Sequence, residues 1–203
     1  GFLQTVREEE RGRIARELAS LDVDDVRAFV RRLNSDPPLS YGSAGTGSST
    51  YVAASELVSR VGGRAIHVPY QGSPQVLADL AGGHIDFATL GVSAALVQLP
   101  SVRVLAVTTG ARSRLPGFER LPTIAETVAP GYDVGLWQAV LAPPTFSEAS
   151  IADLHRRLEA ILALEHVRSA LASAGAEPVG GSPEQAAALI RAEGERFAAI
   201  LGK

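Results

Sequence analysis

Leu39-Ser40-Tyr41-Gly42-Ser43-Ala44-Gly45-Thr46-Gly47-Ser48-Ser49-Thr50-Tyr51-Val52 is the stretch on which the fold turns. Leu39-Ser40-Tyr41 has the pattern of a short strand, and residues 42–48 form a flexible loop. Ser48 or Ser49 then caps a helix whose apolar face is Val52, Leu57, Val58 and Val61, ended by Gly62-Gly63. The same order returns. Residues 65–70 are a strand, Gln71-Gly72 a turn, and Ser73 a cap with Pro74 at the first helical position; Val76, Leu77 and Leu80 are the buried stripe before Gly82-Gly83. Residues 85–89 are a third strand, running into Gly91, a cap at Ser93 and a short helix to Leu99, and the apolar run 102–107 is a buried strand. This alternation predicts an α/β fold with a mainly parallel sheet, right-handed crossovers and helices on its faces. Ligands of such sheets sit beyond the carboxyl ends of the strands, where the loops 42–48, 71–73 and 90–93 meet.

Upstream, Asp22 can cap a helix with Asp25 in its first turn and Val23, Val26, Phe29, Val30 and Leu33 on one face, stopped by Pro37-Pro38. Residues 1–20, rich in Arg and Glu, form an arm or partial element. Downstream, the Pro-, Gly- and Arg-rich residues 110–135 are expected to be a crossing segment instead of a packed element. Residues 136–142 are a strand ended by Pro143-Pro144, and Ile151, Leu154, Leu158, Ile161 and Leu162 mark an amphipathic helix. A shorter helix runs to Ala174, residues 177–179 are a short strand, and Ser182-Pro183-Glu184-Gln185 is a capping-box start to a last helix buried through Ile190, Phe197, Ile200 and Leu201.

The first loop has the chemistry of a carboxylate cradle. Its glycines let backbone approach a ligand, the hydroxyls of Ser43, Thr46, Ser48 and Ser49 can donate, and the N–H groups opening the next helix attract an anion. An ordinary strand-to-helix turn would use the same residues. Gly45-Thr46-Gly47 is not a dinucleotide fingerprint, and no Gly-Lys-Ser/Thr ending makes a phosphate loop. Tyr70-Gln71-Gly72-Ser73 adds a phenol, an amide and a hydroxyl, though a plain helix cap would look the same; Thr89-Leu90-Gly91-Val92-Ser93 adds two more hydroxyls. What unites the three is the sheet edge to which the topology brings them.

Other chemistry finds little footing. With 19 basic and 22 acidic side chains in 203 residues and a net charge of -3, the chain has no footprint for nucleic acid or an anionic membrane. An apolar share of 46% with 20% charged residues implies a packed core. Cysteine is absent, which excludes disulfides and thiolate chemistry. His67, His84, His155 and His166 lack metal-ligand spacing, no Gly-x-Ser-x-Gly elbow is present, and Trp137 beside a strand is expected in the core. The expectation is therefore a binding protein, with no catalytic residue, no metal and no cofactor. No apolar run is long enough to span a membrane, and the opening Gly1-Phe2-Leu3 carries no leader pattern, so any leader is expected to have been removed.

Seven segments in order add a resemblance. Residues 41–49, His67-Val68-Pro69-Tyr70-Gln71-Gly72-Ser73, Asp79-Leu80-Ala81-Gly82-Gly83-His84-Ile85-Asp86, Val104-Leu105-Ala106-Val107-Thr108, Leu121-Pro122-Thr123-Ile124-Ala125-Glu126, Pro130-Gly131-Tyr132 and Gly175-Ala176-Glu177-Pro178-Val179-Gly180-Gly181 resemble the substrate-binding proteins of tripartite tricarboxylate transporters, the Bug type. The resemblance implies a periplasmic solute receptor whose two lobes close around a small organic carboxylate and deliver it to membrane permease components. It implies a periplasmic-binding-protein-like fold, with residues 21–137 as the ligand-binding second lobe and 138–203 as the returning part of the first. The contacts it implies are Ser43, Ala44, Thr46, Gly47, Ser48, Ser49, Gln71, Gly72, Ser73, Thr89, Gly91 and Ser93. Many relatives carry Asp-Asn where this chain has Leu90-Gly91, so the expected solute lacks an α-amino group.

No match precedes residue 20, so one lobe is expected to be largely complete and the other partial. The helices of 151–201 would then leave apolar stripes uncovered, favouring a homodimer or a companion fragment. The alternative reading is an interaction or regulatory module that keeps the fold without half of the ligand clamp.

Overall fold

The computed structural model describes residues 23–91 and 102–202, in two compact units, Gly1–Gly135 and Leu136–Lys203. The first opens with α1 (Val23–Leu33), whose Asp24 and Asp25 at the first turn and Arg31 and Arg32 at the last complement the helix dipole. Val26 and Leu33 are fully buried. The expected alternation follows as β1 (Leu39–Ser43), α2 (Ser49–Arg60), β2 (Ala65–Pro69), α3 (Ser73–Ala81) and β3 (Phe87–Ala88). β1 is central: it pairs in parallel with β2 from Leu39↔Ala65 to Ser43↔Pro69 and with β3 at Tyr41↔Phe87 and Gly42↔Ala88.

Successive strand residues point to opposite faces, and β1 shows which helix covers which. The Tyr41 ring stacks on His67 at 5.0 Å and on Phe87 at 5.4 Å, and Tyr51 of α2 closes on His67 at 4.7 Å. On the other side, a Cβ on Gly42 would lie 2.8 Å from Val76 of α3 and 2.6 Å from Ile85. The two helices therefore flank the sheet, one on each face.

β3 is shorter than the strand expected over 85–89 because Ser40 N–H donates to the Asp86 carboxylate at 2.7 Å, replacing a main-chain rung with a side chain. Residues 102–107 do not form the expected buried strand. They are largely half-buried, and among the described residues only Val107 pairs, in a parallel bridge to Thr123. An apolar run specifies burial but names no partner for its backbone.

The largest correction concerns 110–135. This stretch is core: Leu115, Phe118, Leu121, Thr123, Ile124, Ala129, Tyr132 and Val134 are buried. It includes α4 (Ile124–Thr127), capped by the Thr123 side chain. Tyr132 donates to Ala53 O in α2 at 2.8 Å, and the Arg60 guanidinium lies 5.8 Å over its ring. Its apolar residues are irregularly spaced among Pro, Gly and Arg, so no helical or strand period betrays them.

The second unit holds α5 (Glu148–Leu162), α6 (Glu165–Ser173) and α7 (Pro183–Leu201). The predicted capping box is present: Gln185 N–H donates to Ser182 Oγ at 3.3 Å and Ser182 N–H to Gln185 Oε1 at 2.8 Å. No residue of these helices is buried; Phe197 and Ile200 reach only half-burial, and Ile190 and Leu201 stay exposed. Neither 136–142 nor 177–179 is a strand, and Trp137, expected in the core, is 40% exposed. Among the described residues no neighbouring strand takes their N–H and C=O groups, and a strand exists only by pairing.

Candidate functional site

Parallel pairing puts the carboxyl ends of β1, β2 and β3 at one edge. The order β2-β1-β3 means the chain leaves β1 to one side and returns on the other, so a topological switch point lies between β1 and β3.

The loop between β1 and α2 is a closed hydrogen-bonded unit. Gly45 and Gly47 have φ of +110° and +88°, where a side chain would be strained. Ala44 N–H donates to Thr50 Oγ1 at 2.9 Å. Ser48 is the helix cap: Tyr51 N–H donates to its Oγ at 3.1 Å, and its own hydroxyl and N–H both donate to Gly45 O, at 2.7 and 3.1 Å. Thr50 Oγ1 lies 2.8 Å from Ser48 Oγ; with the Ser48 proton on Gly45 O, Thr50 is the donor of that contact. Ser43 is 0% exposed, and its hydroxyl sits 2.7 Å from His67 Nε2 and 3.2 Å from both N and O of Gly45.

The other loops are tied to this one. Tyr70 N–H donates to Ser43 O at 3.0 Å, and the Thr89 hydroxyl donates to Thr50 O at 2.6 Å. In the second loop Gly72, not Ser73, is the cap of α3; Ser73 takes the first helical position and Pro74 the second, so no side chain caps this helix. Gln71 N–H donates to Gln75 Oε1 at 2.9 Å. Behind the turn the Tyr70 hydroxyl donates to Asp79 Oδ2 at 2.6 Å, with His84 Nδ1 3.4 Å from Oδ1. That bond, with burial and the carboxylate's charge, pushes the Tyr70 phenol up to about 12. It also holds Asp79 below the ordinary carboxylate range, aided by His84. An open depression of about 410 Å³, lined by Pro69, Tyr70, Gln71, Gln75, Ala78 and Asp79, lies on this flank and includes no residue of the first loop.

The residues singled out from sequence thus divide. The hydroxyls of Ser43, Ser48 and Thr89 are engaged inside the protein. Ser43 corrects the expectation of a donor to ligand, because burial turns its side chain to the helix-covered face. Thr46 and Gln71 are exposed, and Ala44, Gly47, Ser49, Gly72, Ser73 and Gly91 are half-buried. Among the described residues the hydroxyls of Thr46, Ser49 and Ser73 and the amides of Ser49 and Thr50 take no partner. No Lys or Arg occurs in residues 42–49, 70–73 or 89–93. Ser93 and the helix expected after it lie outside the described residues, as do Asp22 and the arm 1–20.

Sequence reasoning set His67 aside as a structural histidine without metal-ligand spacing and gave Thr50 no role. His67 has its pKa lowered by burial, so it is neutral near pH 7. It lies opposite Tyr41 in the ladder, beneath the first loop; only the strand register, which the sequence does not state, brings it to Ser43. The pair resembles a nucleophile and its base, but Ser43 has no solvent access and no described group orients the other imidazole nitrogen. Among the described residues no His, Asp or Glu cluster could hold a metal, and no helix is long and apolar enough to cross a membrane.

Residues 18–203 match the tripartite tricarboxylate transporter family receptor. The chain is 31% identical over 179 residues to the UPF0065 protein in the tcbD-tcbE intergenic region of Pseudomonas sp. strain P51, covering 87% of this chain and 53% of that one. It is 27% identical over 182 residues to Protein BugT of Bordetella pertussis, covering 89% and 56%. Among solved structures it is similar to R. palustris Rpa4515 with adipate, at a TM-score of 0.71 and 31% identity, covering 91% of this chain and 62% of that one. The chain therefore spans about half the length of the relatives it matches. A parallel sheet flanked by helices, of the periplasmic-binding-protein type, and a family match along nearly all its length establish that this chain belongs to the tripartite tricarboxylate transporter receptors, a family of binding proteins and not of enzymes.

Proposed function

We propose that this chain holds a small organic carboxylate at the edge where its three loops meet, as the periplasmic solute receptor of a tripartite tricarboxylate-type transporter, and presents it to membrane permease components. The observation that carries this reading is a set of donors at one edge that take no partner among the described residues: the hydroxyls of Thr46, Ser49 and Ser73 and the first amides of α2. A helix N-terminus with free N–H groups stabilises an anion without a cationic side chain. Ala44, Gly47, Ser48, Gln71, Gly72, Thr89 and Gly91 shape the contact surface. The similarity to Rpa4515, a structure obtained with adipate, supports a dicarboxylate.

Leu90-Gly91 offers no acid to an ammonium group, so the preferred ligand lacks an α-amino group. Thermal shift and calorimetric titration with adipate, malate and glutamate test this. Adipate or malate at about a hundred times its Kd is expected to stabilise the fold by about 2.7 kcal/mol, with glutamate weaker. Tighter binding of glutamate would contradict the specificity, and no stabilisation by any carboxylate would favour the interaction module.

A further inference from the structure

The proton inventory beneath the first loop singles out one residue. A serine hydroxyl has one proton and two lone pairs, and a carbonyl oxygen has two lone pairs. Gly45 O already accepts from the Ser48 hydroxyl at 2.7 Å and the Ser48 amide at 3.1 Å, which fills it. Gly45 N–H donates to Ser43 Oγ at 3.2 Å. The Ser43 proton therefore has one good destination, His67 Nε2 at 2.7 Å, and the Gly45 oxygen at 3.2 Å is the poorer one. His67 then serves as acceptor, neutral and protonated on Nδ1. A protonated His67 would have to donate to Ser43 and drive its proton onto Gly45 O as a third donor, against the bonds that fold the loop.

We propose that neutral His67 is the positioning residue of the anion loop: by accepting the Ser43 hydroxyl it holds Gly45 and Ser48 in the geometry that leaves the Ser49 and Thr50 amides without a partner among the described residues. The consequence for ligand rests on the carboxylate reading above; the consequence for the loop does not. Burial between the rings of Tyr41 and Tyr51 disfavours the imidazolium, which keeps the acceptor state at neutral pH. Those two phenols are the titratable groups packed on His67 from β1 and α2; the charged residues farther along α2, Glu56 and Arg60, pair with each other.

The test compares His67→Phe, which keeps a ring in the aromatic stack, with His67→Gln, whose amide oxygen can accept in place of Nε2. Amide exchange by NMR reads the loop without ligand. Exchange at Gly45 and Ser48 is expected to rise about tenfold in His67→Phe and to stay near wild type in His67→Gln. On acidification below the ordinary imidazole value of 6.5, under which burial holds His67, the wild-type loop is expected to lose protection while His67→Gln does not. Adipate titration should show about tenfold weaker binding in His67→Phe, recovered in His67→Gln.

Unchanged protection at Gly45 and Ser48 in a folded His67→Phe would overturn the proposal. Should that variant not fold, Ser43→Ala removes the same bond from the other partner, and intact Ser48 protection there overturns it equally. If wild type binds no adipate, the carboxylate reading fails while the exchange data still decide the role of His67.

Discussion

Tyr70 and Asp79 form a bond whose effect on pH dependence has a definite sign. The Asp79 carboxyl is held below its ordinary 3.8, chiefly by the Tyr70 hydroxyl and secondarily by His84. A depressed acid stabilises the fold above its unfolded pKa, and that contribution is lost as pH falls through the folded value. Tyr70, raised from 10.0 to about 12 by the same bond, contributes below 10.0 and loses that contribution as pH climbs toward the folded value. Tyr70→Phe should let the Asp79 pKa rise part of the way back to 3.8, with His84 retaining the remainder. An NMR titration of the side-chain carboxyl carbon reads this directly, and an unmoved Asp79 would mean that Tyr70 is not its main partner. The pair also anchors the second loop to α3, so Gln71 and Gly72 should become more mobile in the same variant.

β1 lies between two helices, and its residues are chosen for clearance as much as for propensity. Gly42 is the tightest point: an added Cβ would lie 2.6 Å from Ile85 Cδ1, 2.8 Å from Val76 Cγ1 and 3.2 Å from the Tyr70 ring. Gly42→Ala should therefore destabilise the chain by about 1–3 kcal/mol through overpacking, seen as a lower urea midpoint with an unchanged slope. Gly194 in α7 makes the contrast, since nothing lies within 4 Å of its added Cβ. There Gly194→Ala should stabilise by about 0.5–1 kcal/mol, because alanine loses less backbone entropy in a helix. The two glycines look alike in the sequence. Strand, helix and capping signals at Ser48, Ser182 and Gly62 were legible because they depend on neighbours within about four residues. The cap of α3 was misplaced by one residue because Gly72 and Ser73 both suit a helix start.

At the scale of the whole molecule the two units differ in how they treat apolar surface. Residues of Gly1–Gly135 bury Val26, Leu33, Val52, Val76, Phe118, Leu121 and Tyr132 almost completely. Within Leu136–Lys203, Leu136, Val140 and Leu141 are 65%, 68% and 77% exposed, and Val179 89%. Large apolar side chains exposed to this extent promote association, so the chain is expected to self-associate as its concentration rises. Sedimentation velocity checks this: Val140→Gln with Leu141→Gln should shift the population toward monomer, and a wild-type monomer at high concentration would contradict the expectation.

From its residues alone the chain declared an α/β alternation, a parallel sheet, the loops at its carboxyl edge and a family likeness, because caps, turns and apolar periods are local and the chain writes them in order. Tertiary structure alone decided that 110–135 is core, that Ser43 turns inward to His67, and that 136–142 finds no strand partner among the described residues. Those outcomes depend on which distant segment supplies the opposing surface or the missing hydrogen-bond partner, and such pairings have no local signature.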